Sequence, residues 1–163
     1  MKKLAVFLIA VTASAQTVPQ LLSTISGTTT YKNVTVSPDG HYVSWAVTLR
    51  NPDNTTSRNS ELWLLDLTKP GASAVKVSAA TTPHAEHSLA FSPDSKQIAF
   101  LSDAEKTGQL ELYAQALAGT PRKLTAFTGF LAEPRWSPDG SKIALLFTEN
   151  APRASGPPPY RLR

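Results

Sequence analysis

The sequence predicts an all-β chain assembled from about two and a half copies of a four-stranded antiparallel unit. Three observations carry this. One short phrase occurs three times, as VSPDGHYVSW from Val36, FSPDSKQIAF from Phe91 and WSPDGSKIAL from Trp136. Each copy has an apolar residue, a Ser-Pro-Asp turn and then alternating large and small apolar residues, the period-two mark of a strand. Two further pieces also recur: Glu61-Leu62-Trp63 matches Glu111-Leu112-Tyr113, and Lys76-Val77-Ser78 matches Lys123-Leu124-Thr125. A repeat that cannot bury its own apolar face must stack on its neighbours, so the repetition itself fixes the class of fold.

Within the first piece, proline presets φ at the second turn position, while serine and aspartate can bond the local backbone. The following residue must accept positive φ. Gly40 and Gly140 suit that role, whereas Ser95 would be held there at a cost of about 1 kcal/mol. The predicted structural sites are therefore Ser37, Pro38, Asp39 and Gly40, then Ser92, Pro93, Asp94 and Ser95, then Ser137, Pro138, Asp139 and Gly140. After each turn, Val43 and Trp45, Ile98 and Phe100, and Ile143 and Leu145 alternate with the small residues Ser44, Ala99 and Ala144. Large residues on one face and small ones on the other suit closely stacked sheets.

Four short strands in roughly 40–50 residues describe a β-propeller blade. The serines at 37, 92 and 137 give a first repeat ten residues longer than the second, with the surplus expected in loops, chiefly the polar stretch Arg50–Ser60. Blades are expected over 31–79, 88–126 and, in part, 133–148, within a propeller region of 31–150. Residues 16–30 form a lead-in, and 151–163, rich in proline and arginine, an irregular tail. Because a ring needs at least about four blades, the chain is expected to be part of a longer protein.

Residues 1–15 read as a secretory signal helix. Lys2 and Lys3 open it, Leu4 to Val11 form a short apolar run, and Ala13-Ser14-Ala15 precedes cleavage between Ala15 and Gln16. The apolar run falls well short of the roughly 20 residues that span a bilayer, so no membrane span is expected after its removal. Export to a bacterial periplasm or medium follows. Cysteine is absent, which excludes disulfides and thiolate metal sites. The net charge of +4 is carried by the ends: Lys2, Lys3, Arg153, Arg161 and Arg163 are five of the 16 basic residues, leaving 11 against 12 acidic ones. The remaining basic residues are scattered, so nucleic acid is not an expected partner.

No reaction is legible. His84-Ala85-Glu86-His87 has metal-ligand residue types, but its spacing matches no defined motif, and a solvated inter-blade loop is the simpler reading. Ser73-x-x-Lys76 resembles an acyl-transfer pair, but that chemistry needs a helix and this segment leads into a strand. There is no Gly-x-Ser-x-Gly elbow, dinucleotide fingerprint or P-loop. Asp39, Asp94 and Asp139 recur once per unit, as turn caps do. Trp45, Trp63 and Trp136 occupy strand positions, where packing is the default role. Neither cofactor nor metal is expected, and no catalytic residue is assigned.

The phrase W/F-S-P-D-G-x-x-I-A-F, followed by E-L-Y and R-K-L-T, resembles the WD-like propeller repeat of two exported bacterial groups over roughly residues 31–148. These are the prolyl oligopeptidase family and the TolB family. The passage from Ile143 to Pro157 looks more like the peptidase group, and the stretch from Gln16 to Thr30 leaves no room for the small α/β domain of TolB-like proteins. The resemblance implies a non-catalytic N-terminal propeller segment that gates substrate for a hydrolase domain beyond Arg163. The alternative it implies is a periplasmic propeller for protein–protein interaction. The implied partners are the remaining blades and a hydrolase domain of a longer parent, together with envelope proteins or peptides.

Overall fold

The computed structural model describes residues 28–151. The expected signal, with Ala15 and Gln16, and all of the tail but Ala151 lie outside the described residues. Ten strands run in chain order: β1 (Thr30–Val36), β2 (Tyr42–Arg50), β3 (Thr56–Asp66), β4 (Val75–Val77), β5 (Glu86–Phe91), β6 (Gln97–Ser102), β7 (Glu111–Ala116), β8 (Arg122–Lys123), β9 (Gly129–Trp136) and β10 (Ile143–Glu149). They form two four-stranded meanders, β1-β2-β3-β4 and β5-β6-β7-β8, and a two-stranded third sheet of β9 and β10. Every pairing between these strands is antiparallel. The fold is a partial β-propeller: two whole blades and the first hairpin of a third.

Blade 2 shows why the repeat has its pattern. Its strand β6 is buried from Ile98 to Ser102, because a sheet lies against each of its faces. Ile98 and Phe100 point to blade 1, where they join Ala46, Leu62, Leu64, Val77, Leu89 and Tyr113 in one core. Ala99 and Leu101 point the other way and join Leu110, Leu112, Ala114 and Leu131 in a second core, against which Trp136, Ile143 and Leu145 of blade 3 pack. Phe100 is fully buried and its ring stacks on that of Tyr113, with centroids 5.9 Å apart. That pair is set by the β6–β7 register, which places Phe100 opposite Tyr113.

The structure departs from the sequence reading in three places. The surplus residues of blade 1 sit in loops only in part: 51–55 and 67–74 join strands, but the rest of the polar stretch does not. Thr56 to Ser60 are strand, and β2 and β3 reach nine and eleven residues, because Ser, Thr and Arg side chains can still alternate along a ladder whose faces are polar. The segment His84–His87 is not a solvated loop. His84, Ala85 and Glu86 are buried, and β5 begins at Glu86. The reason is a parallel bridge between Ser60 and Ala85 that ties the segment to blade 1. Lastly, β9 begins at Gly129, before its apolar alternation starts, since Gln109 of blade 2 holds Gly129 through both amide atoms: its Nε2 donates to the Gly129 carbonyl (2.9 Å) and its Oε1 accepts from the Gly129 N–H (3.1 Å).

Candidate functional site

The first strands of the three blades lie side by side, β5 touching both β1 and β9. Together they border an open cavity of about 680 Å³, lined by Asn33–Val36 of β1, Ser88–Phe91 of β5 and Glu133–Trp136 of β9, with Pro38 and Pro93 at its edge. Each lining stretch contains a β-bulge at the same place, four residues before the turn serine. The register slips between Lys32 and Thr35, between His87 and Ala90, and on β9 between Ala132 and Arg135. The extra residue takes positive φ in all three: Asn33 at 50°, Ser88 at 58° and Glu133 at 50°. None is glycine, so each position stores roughly 1 kcal/mol or more of strain. A bulge bends its strand and re-aims the side chains next to it. Here it does so three times around one cavity.

This recurrent bulge is the feature that sequence reasoning missed. Asparagine tolerates the left-handed region better than most residues, so Asn33 carried a faint signal. Ser88 and Glu133 carried none.

The twelve turn residues form the β1–β2, β5–β6 and β9–β10 connections. In each, the serine N–H donates to the carbonyl five residues on, to Tyr42, Gln97 and Lys142, at 2.8–2.9 Å. The serine hydroxyl accepts the N–H of that same residue, at 2.9 Å in all three turns. It also donates to the aspartate two residues on, at 2.6, 2.6 and 2.5 Å. The aspartate in turn accepts the N–H of His41, Lys96 or Ser141. Serine and aspartate at this spacing thus form one closed hydrogen-bonded unit. The serine hydroxyls, followed by those backbone N–H groups, hold Asp39 and Asp94 below the usual carboxylate range and Asp139 down to about 2. The carboxylates serve the turns.

Ser95 occupies the positive-φ slot at 57°, as Gly40 and Gly140 do at 75° and 70°. Its hydroxyl accepts the N–H of Asp39 in the neighbouring turn at 3.1 Å, an inter-blade bond that a glycine could not make. The turns of blades 2 and 3 enclose a smaller hollow of about 350 Å³ with Asp94, Gln97 and Asp139 in its wall.

The remaining candidates are kept apart by the fold. Lys76 pairs with Glu61 at 2.8 Å across β3 and β4. His41 lies exposed beside Asp39. Among the described residues no group of three or more His, Cys, Asp or Glu is placed to hold a metal. Trp136 Nε1 donates to the Ala90 carbonyl at 3.1 Å, joining blade 3 to the first strand of blade 2. Trp45 and Trp63 stand opposite each other across β2 and β3, on the face of blade 1 that points away from blade 2.

Glu86 is the most deeply buried carboxylate, 1% exposed. It accepts the Ala79 N–H at 2.7 Å and the hydroxyls of Ser78 at 3.0 Å and Ser102 at 3.3 Å. Burial pushes it above its ordinary range, and these bonds only partly oppose that. Ser60 Oγ donates to the Glu86 carbonyl at 2.7 Å and accepts its N–H at 3.1 Å. The cluster is a joint between blades 1 and 2.

No family model matches the chain. Over 61 residues it is 39% identical to the Tol-Pal system protein TolB of Alcanivorax borkumensis, covering 37% of this chain and 14% of that protein. Over 112 residues it is 30% identical to the uncharacterized peptidase YuxL of Bacillus subtilis, covering 67% of this chain and 16% of that protein. The chain therefore spans only about a seventh of the length of either relative. Among solved structures it superposes on TolB from Acinetobacter baumannii with a TM-score of 0.53 and 24% identity, over 71% of this chain and 26% of that one. It also superposes on the β-propeller domain of the Trilobed protease from Pyrococcus furiosus, a propeller of open velcro topology, with a TM-score of 0.54 and 20% identity, over 74% of this chain and 34% of that domain. In fold and repeat the chain resembles the TolB-like propellers and the propellers of the prolyl oligopeptidase type.

Proposed function

We propose that the chain is the non-catalytic propeller segment of an exported serine peptidase of the prolyl oligopeptidase type, and that it gates substrate for a hydrolase domain elsewhere in the parent protein. The observation that carries this reading is the cavity between β1, β5 and β9, a passage whose wall is shaped by one bulge per blade. The match to a peptidase extends over 67% of the chain, against 37% for TolB, and so favours the peptidase. In this reading residues 1–15 direct export, the twelve Ser-Pro-Asp turn residues brace the rim of the passage, and the serine, aspartate and histidine of the reaction belong to the parent's other domain. The division into lead-in, blades and tail belongs to the same reading, with blades 2 and 3 opening on the strands that start at Glu86 and Gly129.

The test is to label the parent protein, isolated from its source, with a fluorophosphonate probe. A labelled polypeptide that contains tryptic peptides of residues 31–150 is the expected result. A parent that carries these peptides, is intact and takes no label favours the second reading, a TolB-like propeller that binds envelope proteins. That reading rests on the 39% identity to TolB over 61 residues, and cross-linking in intact cells to an envelope protein would support it.

A further inference from the structure

We infer that a second hollow, beneath the long β2–β3 hairpin, binds a small oxyanion, a carboxylate or a phosphate. It has a volume of about 230 Å³ and lies at the opposite end of the first strands from the Ser-Pro-Asp turns. Its wall holds Lys32 of β1, Thr48 of β2, Ser57 and Arg58 of β3, and His87 of β5.

Strand register shows that this charge is gathered on one face. Lys32 stands opposite Ala46, and Thr48 opposite Ser60. Residues facing each other across a ladder share a face, as do residues two apart along a strand. Lys32, Thr48 and Ser60 therefore point to the same side as Ala46 and Leu62, which is the side that blade 2 covers, and Arg58, at the register shift between Ser60 and Thr56, lines the same hollow. Along this face the apolar core gives way to hydroxyls and two cations, and His87 closes the hollow from blade 2. No acidic side chain lines it.

The cations are also uncommitted. Lys69, Lys76 and Lys123 each have a carboxylate partner, in Asp66, Glu61 and Glu105. Neither Lys32 nor Arg58 forms an ion pair among the described residues. Two cations held near each other in a concave, hydroxyl-lined wall repel one another until an anion lies between them. Arg58 belongs to the strand extension that blade 1 has and blade 2 lacks, so the site is peculiar to this junction. A guanidinium fork suits the two oxygens of a carboxylate or phosphate.

Calorimetric titration of the full chain tests the inference, with inorganic phosphate in one arm and a short peptide with a free C-terminal carboxylate in the other. The same peptide with an amidated C-terminus is the control. Binding in at least one of the first two arms is expected. Lys32→Ala and Arg58→Ala should each weaken it about tenfold, and raising the salt should weaken it further, while Arg58→Lys keeps part of the affinity. Both side chains are exposed, so the variants should keep the wild-type circular dichroism spectrum, which is recorded alongside. Binding of the free peptide but not of phosphate or amide assigns a peptide terminus; binding of phosphate alone assigns a phosphoryl group. Absence of heat in both arms up to 50-fold excess over about 1 mM protein, or equal binding by the Lys32→Ala/Arg58→Ala double variant, overturns it. None of these outcomes depends on the parent being a peptidase.

Discussion

The two blade junctions are built from the same repeat and held by different chemistry. Blade 1 meets blade 2 through an apolar core and, beside it, the buried joint of Ser60, Ser78, Glu86 and Ser102. Blade 2 meets blade 3 through an apolar core and neutral bonds from Trp136 to Ala90 and between Gln109 and Gly129. A buried carboxylate is weak support for stability, because its desolvation opposes the bonds it makes. It does, however, place a titratable group inside the first junction, where its protonation can be read. The repeated pattern fixes the apolar layer; what is added beside that layer decides how each joint responds to its surroundings.

The largest effects should come from emptying either core. Phe100→Ala at the first junction is expected to cost about 3–5 kcal/mol and Leu131→Ala at the second about 2–5 kcal/mol, read as shifts in urea midpoint. A loss below about 1 kcal/mol at either site would show that the corresponding junction is not a packed core.

Next comes the pH contrast. The folded pKa of Glu86 lies above its unfolded value, so its contribution is fully present below the unfolded pKa and is lost as pH rises through the folded one. One proton limits the slope to about 1.4 kcal/mol per pH unit. Glu86→Gln keeps an acceptor for the Ala79 N–H without the charge. Its urea midpoint should exceed that of the wild type above the folded pKa of Glu86, and the gap between the two should close in mildly acidic solution. Parallel profiles would remove Glu86 as the source of the difference between the junctions.

Smaller again is Trp136→Phe, which keeps most of the ring and loses the bond to the Ala90 carbonyl. About 1 kcal/mol is expected, with no change in the pH profile. Smallest is the pair at Ser95. Ser95→Ala loses the inter-blade bond to Asp39 and keeps the strained φ, for a cost of about 1 kcal/mol. Ser95→Gly loses the same bond and relieves the strain, so its midpoint should stay close to that of the wild type. If both variants fell equally, the hydroxyl and not the backbone would decide that position.

Much of the fold could be read from the chain. Period-two alternation after each turn marks β2, β6 and β10, and the matched Glu-Leu-aromatic pieces mark β3 and β7, because a strand that faces a core must repeat its apolar residues at a fixed spacing. The turn chemistry was equally open, since serine and aspartate two apart bond one another and the backbone between them. The candidate sites were not. Nothing in Ser88 or Glu133 announces positive φ, and Lys32 and Arg58 lie far apart in sequence and look like ordinary solvated charges. The polar run before Glu61 reads as a loop because its strand character comes from the partner strand and not from its own composition.

The order of residues alone determined that four-stranded units would form and stack, for each unit has large apolar residues on one face that water disfavours. Only the tertiary structure decided which buried groups meet. Glu86 is a joint, and not a solvated acid, because the Ser60–Ala85 bridge draws its segment beneath the neighbouring sheet. Three bulges become one cavity, and two distant cations one hollow, because separate strands bring them together in space; a linear pattern encodes the strands but not the company that they keep.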